Sequence, residues 1–224
     1  MIFAIIILGI GLIFQLLKCL FEYKNNSVLK LIMKSIASVS FFVAGIISFL
    51  YSGSNKEYSI ILFSLGFGMI GDVVLDIKYI YPKHENIIFI MGMASFFIGH
   101  ILYLIFLINR TNNILISIVI SLILSLITLY FIYKNVIASK SLLITGGIYI
   151  TIILFLLTLS IIHGIEHVNT FSIMFMIAII FFVSSDLILA FNEFSGNRRL
   201  SLVVLNLLLY YIAQATIALS ICFI

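Results

Sequence analysis

Charge is scarce in this sequence: Asp, Glu, Lys and Arg make up 9% of its residues, against roughly 25% in a soluble domain. Proline is scarcer still. Pro82 is the only one, which removes both a Pro-rich linker and helices broken by proline in mid-membrane. Two cysteines, Cys19 and Cys222, lie in apolar segments near opposite ends, at no spacing that fits a metal site or a redox pair. What remains is 64% hydrophobic. These figures exclude a second soluble domain and predict one transmembrane domain over residues 1–224, with lipid as its main solvent.

A helix needs about 20 apolar residues to cross the hydrocarbon core. Eight stretches meet that length: 1–21, 31–51, 58–80, 87–108, 113–133, 141–161, 171–191 and 200–223. The first follows Met1 with no basic segment and no small-residue cleavage site, so it reads as a span and not a signal peptide. The fold class expected is an all-α polytopic bundle of about eight transmembrane helices. Polar punctuation separates the spans, least clearly at 134–140, where Val136, Ile137 and Ala138 interrupt it.

The net charge of +4 resides in short loops, where the positive-inside bias explains it better than nucleic-acid binding. The loops after the odd-numbered spans, with their helix edges, hold Lys18, Lys24, Lys30, Lys34, Lys78, Lys83, Lys134, Lys140, Arg198 and Arg199. The opposite loops hold Lys56 and Arg110. That split predicts cytoplasmic odd loops and extracytoplasmic termini. Nine Lys against three Arg, with abundant Ile and Asn, fit an AT-rich genome and a bacterial cell membrane.

A carboxylate inside the bilayer is costly and faces the bundle interior or a wet cavity. Asp72 lies 14 residues beyond Tyr58 in the third span, and Asp186 lies 15 beyond Phe171 in the seventh. At about 1.5 Å per residue the two reach one depth, in the cytoplasmic half, and can meet across a shared cavity. His100 and Tyr103 in the fourth span, Tyr210, Tyr211 and Gln214 in the eighth, and Lys34 at the start of the second are within reach of that depth. Gly66, Gly68 and Gly71 strip side chains from one part of the third span, so a neighbour or a lipid chain can approach its backbone. A shift of 114 residues lays Asp72 on Asp186, Phe96 on Tyr210 and His100 on Gln214, the pattern a parallel four-helix duplication would leave.

Other readings of these residues stand beside this one. A buried Asp can simply bond a facing Lys, Tyr or Ser; His100 can be a hydrogen-bonded interior histidine; Lys34 can snorkel to the headgroups. Tyr103, Tyr210 and Tyr211 can be interface aromatics, although Tyr210 lies deep for a belt position. Asp76, Glu22, Glu57, Glu85, Glu166 and Glu193, at helix ends or in loops, are expected to be solvated, as are His84, His163 and His167. His163 and His167 stand four residues apart in a short outer loop, and metal binding there is not expected.

The motifs occur in an order that resembles the YhhN-type family, the lysoplasmalogenases. Lys34-Ser35 stands where the family has Lys-Pro, with the proline replaced. Gly71-Asp72-Val73-Val74-Leu75 is similar to its Gly-Asp-x-x-Leu, and Gly99-His100-Ile101-Leu102-Tyr103 to its small-His-x-x-Tyr. Ser185-Asp186-Leu187-Ile188-Leu189-Ala190 is similar to its Ser-Asp-x-x-Leu-Ala, and Tyr210-Tyr211-Ile212-Ala213-Gln214 to its Tyr-x-x-x-Gln or His. The resemblance implies hydrolysis of the vinyl ether of a lysoplasmalogen, with a lysophospholipid substrate and no metal or other cofactor. Asp72 and Asp186 would divide the work, one as general acid and one as charge stabiliser, in an order the residues leave open. His100, Tyr103, Tyr210 and Gln214 would position water or substrate, and Lys34 would meet the phosphate. The residues alone also suit a small proton-coupled transporter that uses the aspartates as a relay.

Overall fold

The computed structural model describes all residues except Asn25, 136–138, Ser195 and Asn197, and the side chain of Phe194. Within it run eight helices: α1 (Ile2–Lys24), α2 (Ser27–Tyr51), α3 (Ser59–Ile77), α4 (Glu85–Ile108), α5 (Ile114–Asn135), α6 (Lys140–Glu166), α7 (Thr170–Phe194) and α8 (Leu200–Ser220). Each is long and apolar enough to cross a membrane, and no strand occurs among the described residues. The eight expected spans are therefore present, with ends displaced by a few residues. The gap at 134–140 narrows because α5 runs on to Asn135 and α6 starts at Lys140; Val136, Ile137 and Ala138 lie outside the described residues.

Local chemistry sets the ends. The Asn26 side chain accepts from the Leu29 amide and starts α2, as an N-cap should. After α2 the chain reverses at Gly53 and Ser54, both with positive φ, and the Ser54 amide donates to the Phe49 carbonyl at 3.0 Å. Such a helix-ending left-handed turn favours glycine because no Cβ meets the backbone. Pro82 opens a short 3-10 turn leading into α4, where a missing N–H costs nothing.

Packing order matters more for the site than chain order. Helices α2, α3, α4, α6, α7 and α8 form a ring in that sequence, with α1 seated on α2 and α8 and α5 packed chiefly on α6. In lipid, packing is driven by close van der Waals fit, so small residues collect where helices touch. On α5, Ser117, Ser121 and Ser125 make a buried stripe one turn apart, and Thr158 of α6 donates to the Ser117 carbonyl at 3.1 Å. The rest of α5 presents apolar side chains such as Leu115, Leu126 and Ile123 outward, as a lipid-facing helix must. On α3 the glycines are met by neighbouring side chains: Phe42 lies over Gly66, Gln214 over Gly68 and Phe96 over Gly71. A Cβ at Gly71 would lie 2.7 Å from the Phe96 ring, so that glycine is what lets α4 press onto α3.

Part of the charge at the odd-loop end is buried. Glu22 and Asp76 are buried, with 5% and 4% exposure, and Glu193 is half-buried. Lys18, on α1 and itself 1% exposed, holds Asp76 in a short ion pair and stands 3.6 Å from Glu22. Lys30 and Arg198 reach Glu22 at 3.1 and 3.6 Å. Lys78 pairs with Glu193, which also receives Arg198 at 3.6 Å. The expectation that Glu22, Asp76 and Glu193 face water fails because the ends of α1, α2, α3 and α7 meet there and each acid gains a lysine or arginine, without which burial would be prohibitive.

The opposite end is wetter, with one further correction. Glu57 stays exposed beside Arg110, and Glu166 accepts from the Asn112 and Asn113 amides at 2.8 and 3.0 Å. His163, expected in a loop, is the last buried turn of α6. Thr111 and Ser172 hydroxyls lie 3.4 and 3.3 Å from its two ring nitrogens, so it stitches the α4–α5 connection to α7.

Candidate functional site

Inside the ring, at the basic end, lies a cavity of about 100 Å³. Its walls are mainly apolar: Leu75 of α3, Phe89 and Met93 of α4, and Leu142, Gly146 and Ile150 of α6 among others. Polar groups enter it at few points, and both aspartates are among them. Helices α3 and α7 face each other across this space, separated by α4 and α6 on one side and by α2 and α8 on the other. The expectation that the two acids share one cavity thus agrees with the structure.

Their surroundings differ. Asp72 is 1% exposed and densely held: Lys34 Nζ is 3.0 Å from Oδ1, while Ser38 Oγ and Tyr210 OH donate to Oδ2 at 2.5 and 2.8 Å. Ser38 follows Lys34 by one turn on α2, so a single helical face delivers both to the carboxylate. Lys34 also lies 3.7 Å from Asp76, and this ties the site to the buried ionic cluster. Asp186 has another kind of partner. Tyr149 of α6 donates to its Oδ2 in a short hydrogen bond, and no ion pair reaches it among the described residues. Beside it, Asn206 of α8 donates to the Ser185 carbonyl and hydroxyl, both at 2.8 Å, locking α8 to α7 where Asp186 enters the cavity.

Of the residues singled out from sequence, Lys34, Asp72, Asp186 and Tyr210 line this cavity. Lys34 turns inward to the two acids of α3 and does not snorkel. His100, Tyr103 and Gln214 are elsewhere. They border a separate, much smaller void further along the ring axis, behind the Phe96 and Phe182 rings. Tyr210 joins the two spaces, since Gln214 Nε2 donates to its hydroxyl at 3.1 Å. Tyr211 points away, donating to the Leu8 carbonyl of α1 at 2.8 Å. Residues 114 apart meet in pairs: Asp72 and Asp186 on the cavity, Phe96 and Tyr210 edge to face at 5.9 Å, His100 and Gln214 on the void. Sequence reasoning missed Tyr149, Ser38 and Asn206. Tyr149 follows Gly146-Gly147 in a stretch of Leu, Ile and Thr, and that clearing beside an aromatic is the available signal.

Fold and site together define a polytopic membrane protein with two carboxyl groups on one apolar-walled interior cavity. Residues 29–221 match the model described as the YhhN family, and the chain belongs to that family. The match spans every residue of the cavity. No curated protein and no solved structure matches the chain significantly.

Proposed function

We propose that this protein is a membrane-embedded hydrolase that cleaves the vinyl ether of lysoplasmalogens, with Asp186 as the general acid and Asp72 as the fixed negative charge. The observation that carries this reading is the asymmetry of the two carboxyls on one cavity. Asp72, beside Lys34 and two hydroxyl donors, is stabilised as the carboxylate. Asp186, with only a tyrosine hydroxyl, is the group suited to carry a proton into an apolar space.

Vinyl ether hydrolysis needs such a division. Asp186 gives its proton to the β-carbon of the C=C bond, which leaves an oxocarbenium ion on the α-carbon and ether oxygen. The Asp186 carboxylate thereby formed and the negative edge of Asp72 both favour that cation, in a setting where a nearby charge acts strongly. Water then adds to the α-carbon while Asp186 takes back a proton. The resulting hemiacetal collapses to a fatty aldehyde and the free hydroxyl of glycerophospho-ethanolamine or -choline. Tyr149 holds the Asp186 carboxyl in place and Tyr210 that of Asp72, so neither rotates away from the reacting carbons. The apolar wall of Leu75, Met93, Leu142 and Ile150 suits the chain beside the vinyl ether. Lys34 in this account holds Asp72 charged, and a lysophospholipid phosphate would meet the exposed basic groups of the odd loops, such as Lys83 or Lys140.

The test follows aldehyde release from a 1-alkenyl lysophospholipid, and fatty-acid release from its 1-acyl analogue, by purified protein. Release from the first and not the second is expected, because an ester offers no carbon that protonates to an oxocarbenium ion. Hydrolysis of the ester alone would refute the acid mechanism. No reaction with either would remove the hydrolase reading and favour a transporter using the same aspartates as a relay.

A further inference from the structure

The void behind Phe96 and Phe182 has room for about one water-sized sphere, at about 10 Å³. Four polar side chains border it, each at least 98% buried: Ser64, His100 and Tyr103 at 2% exposure and Gln214 at 1%; the Ser64 hydroxyl already donates to the Ile60 carbonyl at 2.9 Å. His100 Nε2, Tyr103 OH and Gln214 Oε1 have no hydrogen-bond partner among the described residues. Buried polar atoms are satisfied in the great majority of cases by protein or by ordered water, and here all three border one space.

The hydrogen-bond roles follow from the partners each residue already has. His100 Nδ1 lies 2.6 Å from the Phe96 carbonyl. A carbonyl only accepts, so Nδ1 carries the hydrogen, and in the neutral imidazole Nε2 is left as an acceptor. The single proton of Tyr210 goes to Asp72 at 2.8 Å, so its oxygen must accept from Gln214 at 3.1 Å. That fixes the Gln214 amide with its NH2 toward Tyr210 and its carbonyl oxygen toward the void. Tyr103 OH can donate. The three unpartnered atoms are therefore two acceptors and one donor, which is the complement of a water molecule: two hydrogens to give and one lone pair to receive. Glycines keep the space open. A Cβ at Gly68 would stand 2.9 Å from Gln214 Nε2, and one at Gly99 would stand 3.1 Å from the Ser64 carbonyl.

We infer that this void binds one water molecule, which donates to His100 Nε2 and Gln214 Oε1 and accepts from Tyr103, and so completes a hydrogen-bonded chain through Gln214 and Tyr210 to Asp72. A bond to its oxygen polarises the Gln214 amide, strengthens its donation to Tyr210, and through Tyr210 steadies the Asp72 carboxylate. His100, Tyr103 and Gln214 are thus positioning residues for Asp72. They do not touch substrate, because the aromatic rings separate the void from the cavity. The bound water rests on geometry alone; its effect on rate rests on the hydrolase reading above.

Two measurements on the full-length protein in lipid nanodiscs test the water directly. An experimental map that resolves ordered solvent should show density within hydrogen-bond distance of all three atoms. In 15N NMR of His-labelled protein, the His100 signal, assigned by its loss in His100→Gln, should report a protonated Nδ1 and an unprotonated, hydrogen-bonded Nε2. An empty void, or a protonated Nε2, overturns the inference. Kinetics test the coupling. Tyr103→Phe and His100→Leu should each lower kcat for aldehyde release by about 2- to 10-fold, the worth of one hydrogen bond, with KM unchanged. His100→Gln, which returns an acceptor to the void, should recover most of the loss. A rise in KM alone, or equal loss in His100→Gln and His100→Leu, would overturn the positioning role. If the unaltered protein releases no aldehyde, the hydrolase reading fails while the map and the NMR signal still decide the water.

Discussion

Replacing Asp186 by Asn tests the assignment of acid most sharply, because it changes protonation and almost nothing else. The Asn carbonyl oxygen can still accept from Tyr149, which now donates to Asp186 Oδ2, and Ser185 and Asn206 keep α7 and α8 locked. Folding should therefore survive, and Asn carries no charge whose burial must be compensated. The chemistry should not survive. No other donor is placed to substitute: Tyr149 would be engaged with the Asn, Tyr210 is engaged with Asp72, and Lys34 lies between two carboxylates. Loss of a positioned acid costs about 10² to 10⁴ in rate, or about 2.7 to 5.4 kcal/mol of barrier at 1.36 kcal/mol per tenfold. With no substitute donor the upper half of that range is expected. The assay is initial aldehyde release under saturating 1-alkenyl lysophospholipid, with variant and parent matched for elution volume in detergent and for unfolding temperature. A variant that is folded and retains more than about a tenth of the parental rate would refute the acid role of Asp186.

Removing the tyrosine hydroxyl in Tyr149→Phe leaves Asp186 its proton but not its orientation, so kcat should fall by about tenfold, the worth of one strong hydrogen bond, with little change in KM; a change in KM alone would place Tyr149 on the substrate side instead. Lys18→Met should destabilise the protein by about 3–5 kcal/mol, since it leaves Asp76 and Glu22 buried with fewer cations. The double variant Lys18→Met/Asp76→Asn should recover a good part of that loss; chemical unfolding in detergent reads both, and no recovery would mean that Lys18 acts through packing alone. For orientation, reporter fusions in the loop containing Arg198 and Arg199 should score cytoplasmic and fusions near Lys56 extracytoplasmic, as the loop charges require; the reverse pattern would put the cavity at the outer face.

Most of the bundle could be read from hydropathy, because a spanning helix is a one-dimensional pattern. The aspartates stood out for the same reason, being acids within apolar runs. The ionic cluster has a linear signal too: Lys18 and Glu22, Lys30 and Lys34, and Asp72 and Asp76 are each four residues apart, so each pair occupies one face of its helix. Three helices at the start of the chain with charge stacked on one face must turn those faces to one another or to water. Reading Glu22 and Asp76 as solvated took their nearness to helix ends as decisive. The split between cavity and void had no linear signal. His100, Tyr103 and Gln214 sit at depths compatible with Asp72, and only the packing of Phe96 and Phe182 between them sets the two spaces apart.

The order of helices around the ring explains why the two carboxyls can differ at all. The cations that reach inward belong to α1 and α2, at Lys18, Lys30 and Lys34; α2 packs on α3, and α1 reaches it through Lys18. Asp72 and Asp76 on α3 therefore meet lysines at once. Asp186 enters from α7 on the far side, flanked by α6 and α8, neither of which brings a lysine or arginine to the cavity. Its nearest polar partner is the neutral Tyr149. Two aspartates at equal depth are thus held in opposite electrostatic surroundings by topology, one beside the basic face of α2 and one beside an apolar face of α6. Exchanging those surroundings should exchange the roles. A lysine introduced at Gly146, which lines the cavity with open space where a Cβ would stand, would give Asp186 a cation and hold its carboxylate ionised. Gly146→Lys should then suppress aldehyde release nearly as fully as Asp186→Asn. Gly146→Met, of similar bulk and no charge, should reduce it less. Equal loss in both would show that filling the cavity, and not charging it, is what stops the reaction.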